Sequence, residues 1–286
     1  MIAKHFNYFA PGSIPEALDL LRKFGNDAKL LAGGHSLLPM MKMRFAEPVH
    51  LIDMQNIAEL KGISVRDDVI SIGAMTSENN ILRHEPLAEL CPLLMEATKW
   101  IADPQVRNKG TIGGDIAHGD PANDQPAVML ALDATFHIVG EKGKRIVAAN
   151  DFFLGTYLTD LSAGEILARI EISKQAGARQ WGFRKLKRKT GDFATAACAV
   201  SLNVNGDVCS DVRIALTNLG PTAFRARKAE WVLEGHKPTP ERLNAAVQLA
   251  MQSTEPAADQ RGNEEYKTAM AGEMLHRALQ DAIARK

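Results

Sequence analysis

Two separated glycine pairs are the parts of this chain best suited to binding a charged ligand. The first lies in Ala32-Gly33-Gly34-His35-Ser36 and the second in Thr111-Ile112-Gly113-Gly114-Asp115. Glycine permits positive φ and a close backbone approach that any Cβ would block, and successive amides in such a turn can bind an anion. The two pairs together predict a dinucleotide whose diphosphate is held from two sides. The first pair alone is equally typical of a plain strand-to-helix turn.

The two common nucleotide motifs are absent from the sequence. Neither G-x-G-x-x-G nor G-x-x-x-x-G-K-[ST] occurs at the first pair. Ser36, together with the free amides of the helix expected after it, favours an anion at this turn. Between Asp115 and Asp124 the sequence has three carboxylates and one histidine, His118. A metal site there is disfavoured because the ligand spacing is irregular. Ribityl or ribose hydroxyls could instead donate to these carboxylates.

A basic run near residue 185 forms a third motif with the residues that follow it. Lys185 to Lys189 is typical of a solvated strand face, from which one lysine could turn inward. Asp192 and Phe193 come next, before a run of small residues. From spacing alone, the aromatic ring is more typical of a core position than of a binding site.

The sequence predicts no catalytic side chains of its own. No nucleophile elbow, no recognisable Ser-His-Asp order and no HExxH helix is present. A bound redox cofactor could carry the chemistry while the protein supplies position and electrostatics.

The composition is that of an ordinary globular protein with no net charge. The 286 residues include 34 basic and 34 acidic side chains, so nucleic-acid binding by bulk charge is not expected. Cys91, Cys198 and Cys209 are too few and too far apart for a disulfide framework or an iron-sulfur cluster, so a partner would have to carry any cluster. No leader or membrane-spanning segment is recognisable, so we expect a cytoplasmic protein.

The elements that must position these motifs form three predicted units. Residues 1–55 read as a small α/β unit, 56–176 as an α+β unit, and 177–286 as a C-terminal domain of antiparallel sheet and helices. The predicted helices are 14–24, 37–41 with Ser36 as its cap, 77–83, 86–100, 126–132, 223–233, 240–253 and 263–284. The predicted strands are 28–31, 49–53, 63–65, 69–72, 136–139, 145–147, 180–186, 194–205 and 208–217, with Asn205-Gly206 as a hairpin turn.

The three motifs, in this order, resemble those of a known family. Residues 32–39, 111–115 and 185–196 are similar to the FAD-binding medium subunits of the molybdenum hydroxylases, the xanthine dehydrogenase family, and most of all to its aerobic carbon monoxide dehydrogenase branch. The resemblance covers essentially the whole chain. It implies an α+β fold, in which a two-subdomain FAD-binding domain of the vanillyl-alcohol-oxidase type is followed by a C-terminal flavoprotein domain.

The resemblance also implies the cofactor and its contacts. FAD would lie between the two glycine motifs, with Asp124 near its sugar, Lys185 near the flavin and Phe193 packed by the isoalloxazine. The implied FAD-binding residues are Ala32, Gly33, Gly34, His35, Ser36, Thr111, Ile112, Gly113, Gly114, Asp115, Asp124, Lys185, Asp192 and Phe193. Two positions depart from the family: relatives often carry asparagine at Asp115, and many carry tyrosine at Phe193.

The implied activity is that of an electron-relay subunit without catalytic residues or a metal. Carbon monoxide and water would be converted to carbon dioxide at a molybdenum-copper centre in a large partner subunit. Electrons would pass through the [2Fe-2S] clusters of a small partner to the FAD of this chain, and then to a quinone or another acceptor. A dimer of heterotrimers, a heterohexamer, is implied. The resemblance is compatible with a cytoplasmic complex and with one bound peripherally at the inner face of the membrane.

Other functions stay open from the sequence. The chain could serve a molybdenum hydroxylase acting on a purine or an N-heterocycle, or be a self-sufficient FAD oxidoreductase with its own substrate pocket. A non-catalytic assembly or nucleotide-sensing module is a further alternative.

Overall fold

A computed structural model describes residues 2–285, which form an α+β fold of four β-sheets and of α-helices that range from 4 to 21 residues. The helices are α1 (Ile14–Phe24), α2 (Leu37–Lys42), α3 (Glu78–Arg83), α4 (Leu87–Leu90), α5 (Pro92–Trp100), α6 (Pro104–Lys109), α7 (Ile112–His118), α8 (Gln125–Ala131), α9 (Ala149–Phe152), α10 (Lys174–Gly177), α11 (Arg227–Leu233), α12 (Pro240–Met251) and α13 (Glu264–Ala284). The strands are β1 (Asn7–Phe9), β2 (Ala28–Leu31), β3 (His50–Asp53), β4 (Ile63–Arg66), β5 (Val69–Gly73), β6 (Thr135–Gly140), β7 (Gly143–Ala148), β8 (Phe153–Gly155), β9 (Leu158–Thr159), β10 (Ile166–Ser173), β11 (Gln180–Leu186), β12 (Ala196–Asn205), β13 (Val208–Thr217) and β14 (Phe224–Arg225).

The N-terminal part is a parallel sheet, in the order β1-β3-β2, with α1 beside it. The predicted bounds of α1 are confirmed, because Ser13 Oγ accepts from the Glu16 amide at 3.3 Å and the helix ends at Gly25. The Glu16 carboxylate accepts from the Gly12 amide at 2.8 Å, so it caps one residue earlier than a capping box requires. The sheet therefore delivers the first glycine pair directly after β2.

The middle part is an antiparallel sheet in the order β4-β5-β10-β6-β7, which shares a hydrophobic core with α3, α4, α5, α7 and α8. The prediction of one helix over residues 86–100 was wrong, since two helices meet at Cys91. Pro92 restricts the residue before it and cannot donate to the preceding turn, and Cys91 has non-helical φ and ψ of −154° and 62°. After this break, α5 ends at Trp100, whose carbonyl accepts from Lys185 in the wall of the cavity described below.

The C-terminal part is an antiparallel sheet in the order β11-β12-β13-β14, packed on α11, α12 and α13. The predicted hairpin is present, but its two loop residues are Gly206 and Asp207, both with positive φ, and Asn205 stays in the strand. The prediction of a helix from residue 223 was wrong at its start, because residues 224 and 225 pair with β13 as an edge strand.

Three hydrophobic clusters underlie these sheets. The largest joins the middle sheet and its helices to buried residues of the C-terminal sheet, such as Phe183 and Ala199. This shared core fixes β11 against α5, with which it is in contact. The predicted domain boundaries after residues 55 and 176 stay a prediction.

Candidate functional site

A cavity of about 580 Å³ brings the three sequence motifs together. This volume is within the range of small-molecule and cofactor sites. Every residue predicted to contact a cofactor lines this cavity except Ile112. The Ile112 side chain is fully buried in the core instead, and its amide donates to the Thr76 carbonyl at 3.1 Å. Neither the side chain nor the amide of Ile112 is therefore available to the cavity, because this residue is the first of helix α7 and not part of an open turn.

The first glycine motif presents free backbone amides to the cavity. Gly34 has φ of 77°, a left-handed conformation that favours glycine. Within residues 2–285, the amides of Gly33, Gly34, His35 and Ser36 have no acceptor. Successive free amides at such a turn form a concave anion-binding surface. Ser36 was predicted to cap α2, but it has helical φ and ψ and makes no capping hydrogen bond.

The second glycine motif differs, because it is the start of helix α7 rather than a turn. The Gly113 amide donates to the Ala74 carbonyl at 2.9 Å, and the Gly114 amide donates to Thr111 Oγ1 at 3.2 Å. The prediction that these two amides bind a diphosphate is therefore not supported, since each already has an acceptor. The two glycines instead let α7 pack closely, because a Cβ on Gly113 would lie 2.6 Å from the Ala74 carbonyl oxygen.

Replacing Thr111 with valine should destabilise the chain through α7. The change keeps the shape of the side chain and removes the acceptor of the Gly114 amide. Loss of such an N-cap costs about 1 kcal/mol, which corresponds to a fall in Tm of about 2–4 °C. Thr111→Ser should keep the wild-type Tm, and equal losses in both variants would show that the hydroxyl is not the cause.

Three carboxyl groups converge on one wall of the cavity. Glu78, Asp115 and Asp124 each have one buried oxygen without a hydrogen-bond partner within the described residues. Burial raises the pKa of Asp115 well above its usual range, and the neighbouring carboxyls Glu78 and Asp124 raise it further. A neutral Asp115 can donate as well as accept, as the asparagine expected from the resemblance does.

Glu78 was missed in the sequence analysis. It is the first residue of α3 and is 2% exposed, although a glutamate there usually faces solvent and favours the helix dipole. Its burial depends on Gln125, which is distant in sequence, and no local pattern reveals such a contact.

Lys185 supplies the positive charge of this wall. Its ammonium donates to the Asp124 carboxylate and to the Trp100 carbonyl, the latter at 3.2 Å. The Lys185 and Asp124 side chains are 1% and 5% exposed. Of the basic run, Lys185 is thus the residue that turns inward, while Lys189 stays exposed. The pair joins β11 of the C-terminal sheet to the start of α8.

Asp192 and Phe193 lie at the mouth of the cavity. Burial alone would raise the pKa of Asp192, but hydrogen bonds from Arg188 and Arg261 hold it at about 2. Arg261 also lies over the Phe193 ring, 5.6 Å from its centroid. Phe193 is 44% exposed, so the core position that its spacing favoured was wrong. The two arginines therefore hold an exposed aromatic ring beside the opening.

Asp192→Asn should lower stability by an amount that does not change over ordinary pH. Hydrogen bonds to a charged group contribute about 1.5–3 kcal/mol each, and the variant keeps the shape but not the charge. A depressed pKa stabilises the fold above the usual value of 3.8 and loses this effect only as pH falls through about 2. Thermal unfolding should show the same deficit at pH 5 and pH 8. Asp207→Asn is the control, since that side chain is 81% exposed.

The site as a whole fits a ligand with an anionic centre and polar groups beside it. Free amides lie on one side, and buried carboxyl oxygens without partners lie on another beside one lysine. FAD has this distribution, with a diphosphate between a ribityl chain and a ribose. Within residues 2–285, no group of three His, Cys, Asp or Glu side chains is arranged to hold a metal ion. Over the same residues, no helix is long and apolar enough to cross a membrane.

Comparisons with known proteins also indicate an FAD-binding protein, and they do so along nearly the whole chain. Residues 4–174 match the FAD binding domain in molybdopterin dehydrogenase, and residues 181–282 match the CO dehydrogenase flavoprotein C-terminal domain. The chain is 53% identical to the carbon monoxide dehydrogenase medium chain of Hydrogenophaga pseudoflava, covering 100% of this chain and 99% of the relative. It is 37% identical to the nicotine 6-hydroxylase medium subunit of Paenarthrobacter nicotinovorans, covering 97% of each.

A solved structure is similar over the same length. It is the carbon monoxide dehydrogenase from Hydrogenophaga pseudoflava that lacks the Mo-pyranopterin moiety of the molybdenum cofactor, with a TM-score of 0.98, 54% identity, and coverage of 100% of this chain and 99% of that one. The chain therefore belongs to the FAD-binding medium subunits of the molybdenum hydroxylase family, and its cofactor is FAD.

Proposed function

We propose that this chain is the flavoprotein subunit of a molybdenum-containing carbon monoxide dehydrogenase, and that it relays electrons from a partner's iron-sulfur clusters to an external acceptor. The observation that carries the proposal is the cavity, in which all three family motifs meet around free amides and buried carboxyl groups. The relatives that share about half of its residues carry the same activity in their names.

The residues of this chain would bind the cofactor and set its electrostatics. The amides of Gly33 to Ser36 would bind the diphosphate, while Asp124 and Lys185 would bind sugar or flavin polar groups. When bound, FAD supplies the two-electron chemistry that links a cluster to an acceptor. Phe193 would pack at the exposed edge, where an acceptor can approach.

The electrons must come from another subunit. The three cysteines of this chain are buried and none of them lines the cavity, and three are fewer than the four ligands that an iron-sulfur cluster usually takes. Carbon monoxide and water would react at a molybdenum-copper centre of a large subunit, and a small subunit would carry the [2Fe-2S] clusters. We further propose a dimer of heterotrimers that reduces a quinone at the inner face of the membrane.

Native purification tests the function. We expect the chain to copurify with an iron-sulfur protein and a molybdenum protein, and carbon monoxide to bleach both the cluster and the flavin absorbance. The second candidate function is that of the flavin subunit of a molybdenum hydroxylase acting on an N-heterocycle, which the similarity to the nicotine 6-hydroxylase subunit supports. Bleaching by an N-heterocycle such as nicotine, but not by carbon monoxide, would favour it. A lone flavoenzyme with its own turnover would overturn both.

A further inference from the structure

Glu78 is the group in the cavity wall whose role the family motifs leave unexplained. It lies outside all three motifs, yet its side chain is 2% exposed and it lines the cavity beside Asp115 and Asp124. Its Oε1 makes no hydrogen bond within residues 2–285. A buried polar atom without a partner costs free energy, so a ligand in the cavity is the natural partner.

A chain of hydrogen bonds determines which Glu78 oxygen can carry a proton. Thr98 Oγ1 donates to the Leu94 carbonyl at 2.7 Å, and a carbonyl can only accept. The Thr98 hydroxyl must therefore accept from Gln125 Nε2, at 3.2 Å, which fixes the orientation of the Gln125 amide. The second hydrogen of Nε2 is donated to Glu78 Oε2 at 2.9 Å. Because Oε2 is already an acceptor, a proton on Glu78 belongs on Oε1.

Burial, rather than the charges around it, is the main reason why Glu78 favours the neutral form. Neither nearby cation forms an ion pair with Glu78 within the described residues, since Lys185 is paired with Asp124 and Arg107 donates to the Ile101 carbonyl at 2.7 Å. The pKa of Glu78 is raised to about 8, mainly by burial and in part by the Asp124 charge, although the Gln125 hydrogen bond and the Arg107 charge act to lower it. The charged groups that act on Glu78 or on its neighbour Asp115 are Arg107 of α6, Asp124 before α8 and Lys185 of β11, which is paired with Asp124.

We propose that Glu78 binds the cofactor as a neutral carboxylic acid, donating the proton on Oε1 to an acceptor atom of FAD in the cavity. This inference rests on the proposed function, because it requires FAD in this cavity. An ionised Glu78 cannot donate and would add a negative charge beside two other carboxyl groups. FAD binding is then linked to proton uptake by the cavity wall.

The affinity for FAD as a function of pH tests this role. The full chain, with the subunits that accompany it, is depleted of flavin and titrated with FAD while flavin fluorescence is followed. For a group with a pKa of about 8, the dissociation constant should rise about tenfold between pH 7 and pH 9. In Glu78→Gln, which stays neutral and can still donate, the rise should be less than about twofold over this range. Glu89→Gln is the control, as an exposed glutamate close in sequence, and should behave as wild type.

A wild-type affinity that does not change from pH 7 to pH 9, or a Glu78→Gln variant that follows the wild type, would overturn the role of Glu78. Failure of the wild type to bind FAD at pH 7 would instead overturn the proposed function. If Glu78→Gln does not fold, the test uses infrared difference spectra of the Asp115→Asn variant instead, in which the neighbouring Asp115 carboxyl group is absent. They should show a carboxylic-acid carbonyl band at pH 7 that shifts on FAD binding and disappears at pH 9, and its absence would contradict the proposal.

Discussion

Replacing Gly33 with alanine should strongly reduce the retention of FAD, because it forces the two glycine motifs apart. A Cβ at this position would overlap the Lys109 carbonyl oxygen and lie 2.7 Å from Gly110 Cα. Both are backbone atoms directly before Thr111, so no side-chain rotation relieves the contact. The free amides of residues 33–36 would move away from the cavity. We expect at least a tenfold weaker affinity for FAD, together with roughly 1–3 kcal/mol of lost stability from overpacking.

The matched control for this prediction is Gly12→Ala. Gly12 is also a loop glycine, but its added Cβ would meet only Glu16 Oε2, at 3.8 Å, an ordinary contact. It should retain FAD in the wild-type ratio of flavin to protein. Stoichiometric flavin in purified Gly33→Ala would show that the close approach of the two motifs is not needed for binding.

Replacing Lys185 with methionine should lower the stability of the chain more than Gly33→Ala does, through electrostatics. The variant keeps most of the apolar stem and leaves the Asp124 carboxylate buried without its partner. Breaking a buried ion pair in this way costs about 3–5 kcal/mol. We also expect loss of FAD, because the contact between β11 and the start of α8 forms part of the cavity wall.

A double-mutant cycle separates this pair from general damage to the strand. Asp124→Asn combined with Lys185→Met should be more stable than Lys185→Met alone, because no uncompensated charge is left. Lys189→Met, in the exposed part of the same basic run, should have the wild-type Tm. Additive losses in the double variant would mean that the two side chains do not interact as the structure has them.

The sequence predicted most helices and strands because their signals are local. Ser13 and Gly25 mark both ends of α1, and the hairpin between β12 and β13 follows from the turn signal Asn205-Gly206. The α+β class and the family also followed, since three motifs in a fixed order are specific even when each motif alone is weak.

The site features that the sequence could not predict depend on contacts between residues that are distant in sequence. The two glycine pairs look alike, but only the first keeps its amides free, because the Ala74 carbonyl and the Thr111 hydroxyl accept from the second. Glu78 likewise becomes a buried acid only through Gln125 and Thr98. The role of each amide or carboxyl group depends on which carbonyls and side chains lie within hydrogen-bonding distance of it. The local spacing of residues in the sequence does not contain this information.

The most direct test of the account is electron delivery to an acceptor in the purified complex with and without its flavin. Under carbon monoxide, the flavin-depleted complex should still reduce its iron-sulfur clusters, because the substrate chemistry and the clusters lie in other subunits. Reduction of an added quinone should be lost and should return when FAD is added back. Quinone reduction at the full rate without flavin would contradict the relay role of this chain.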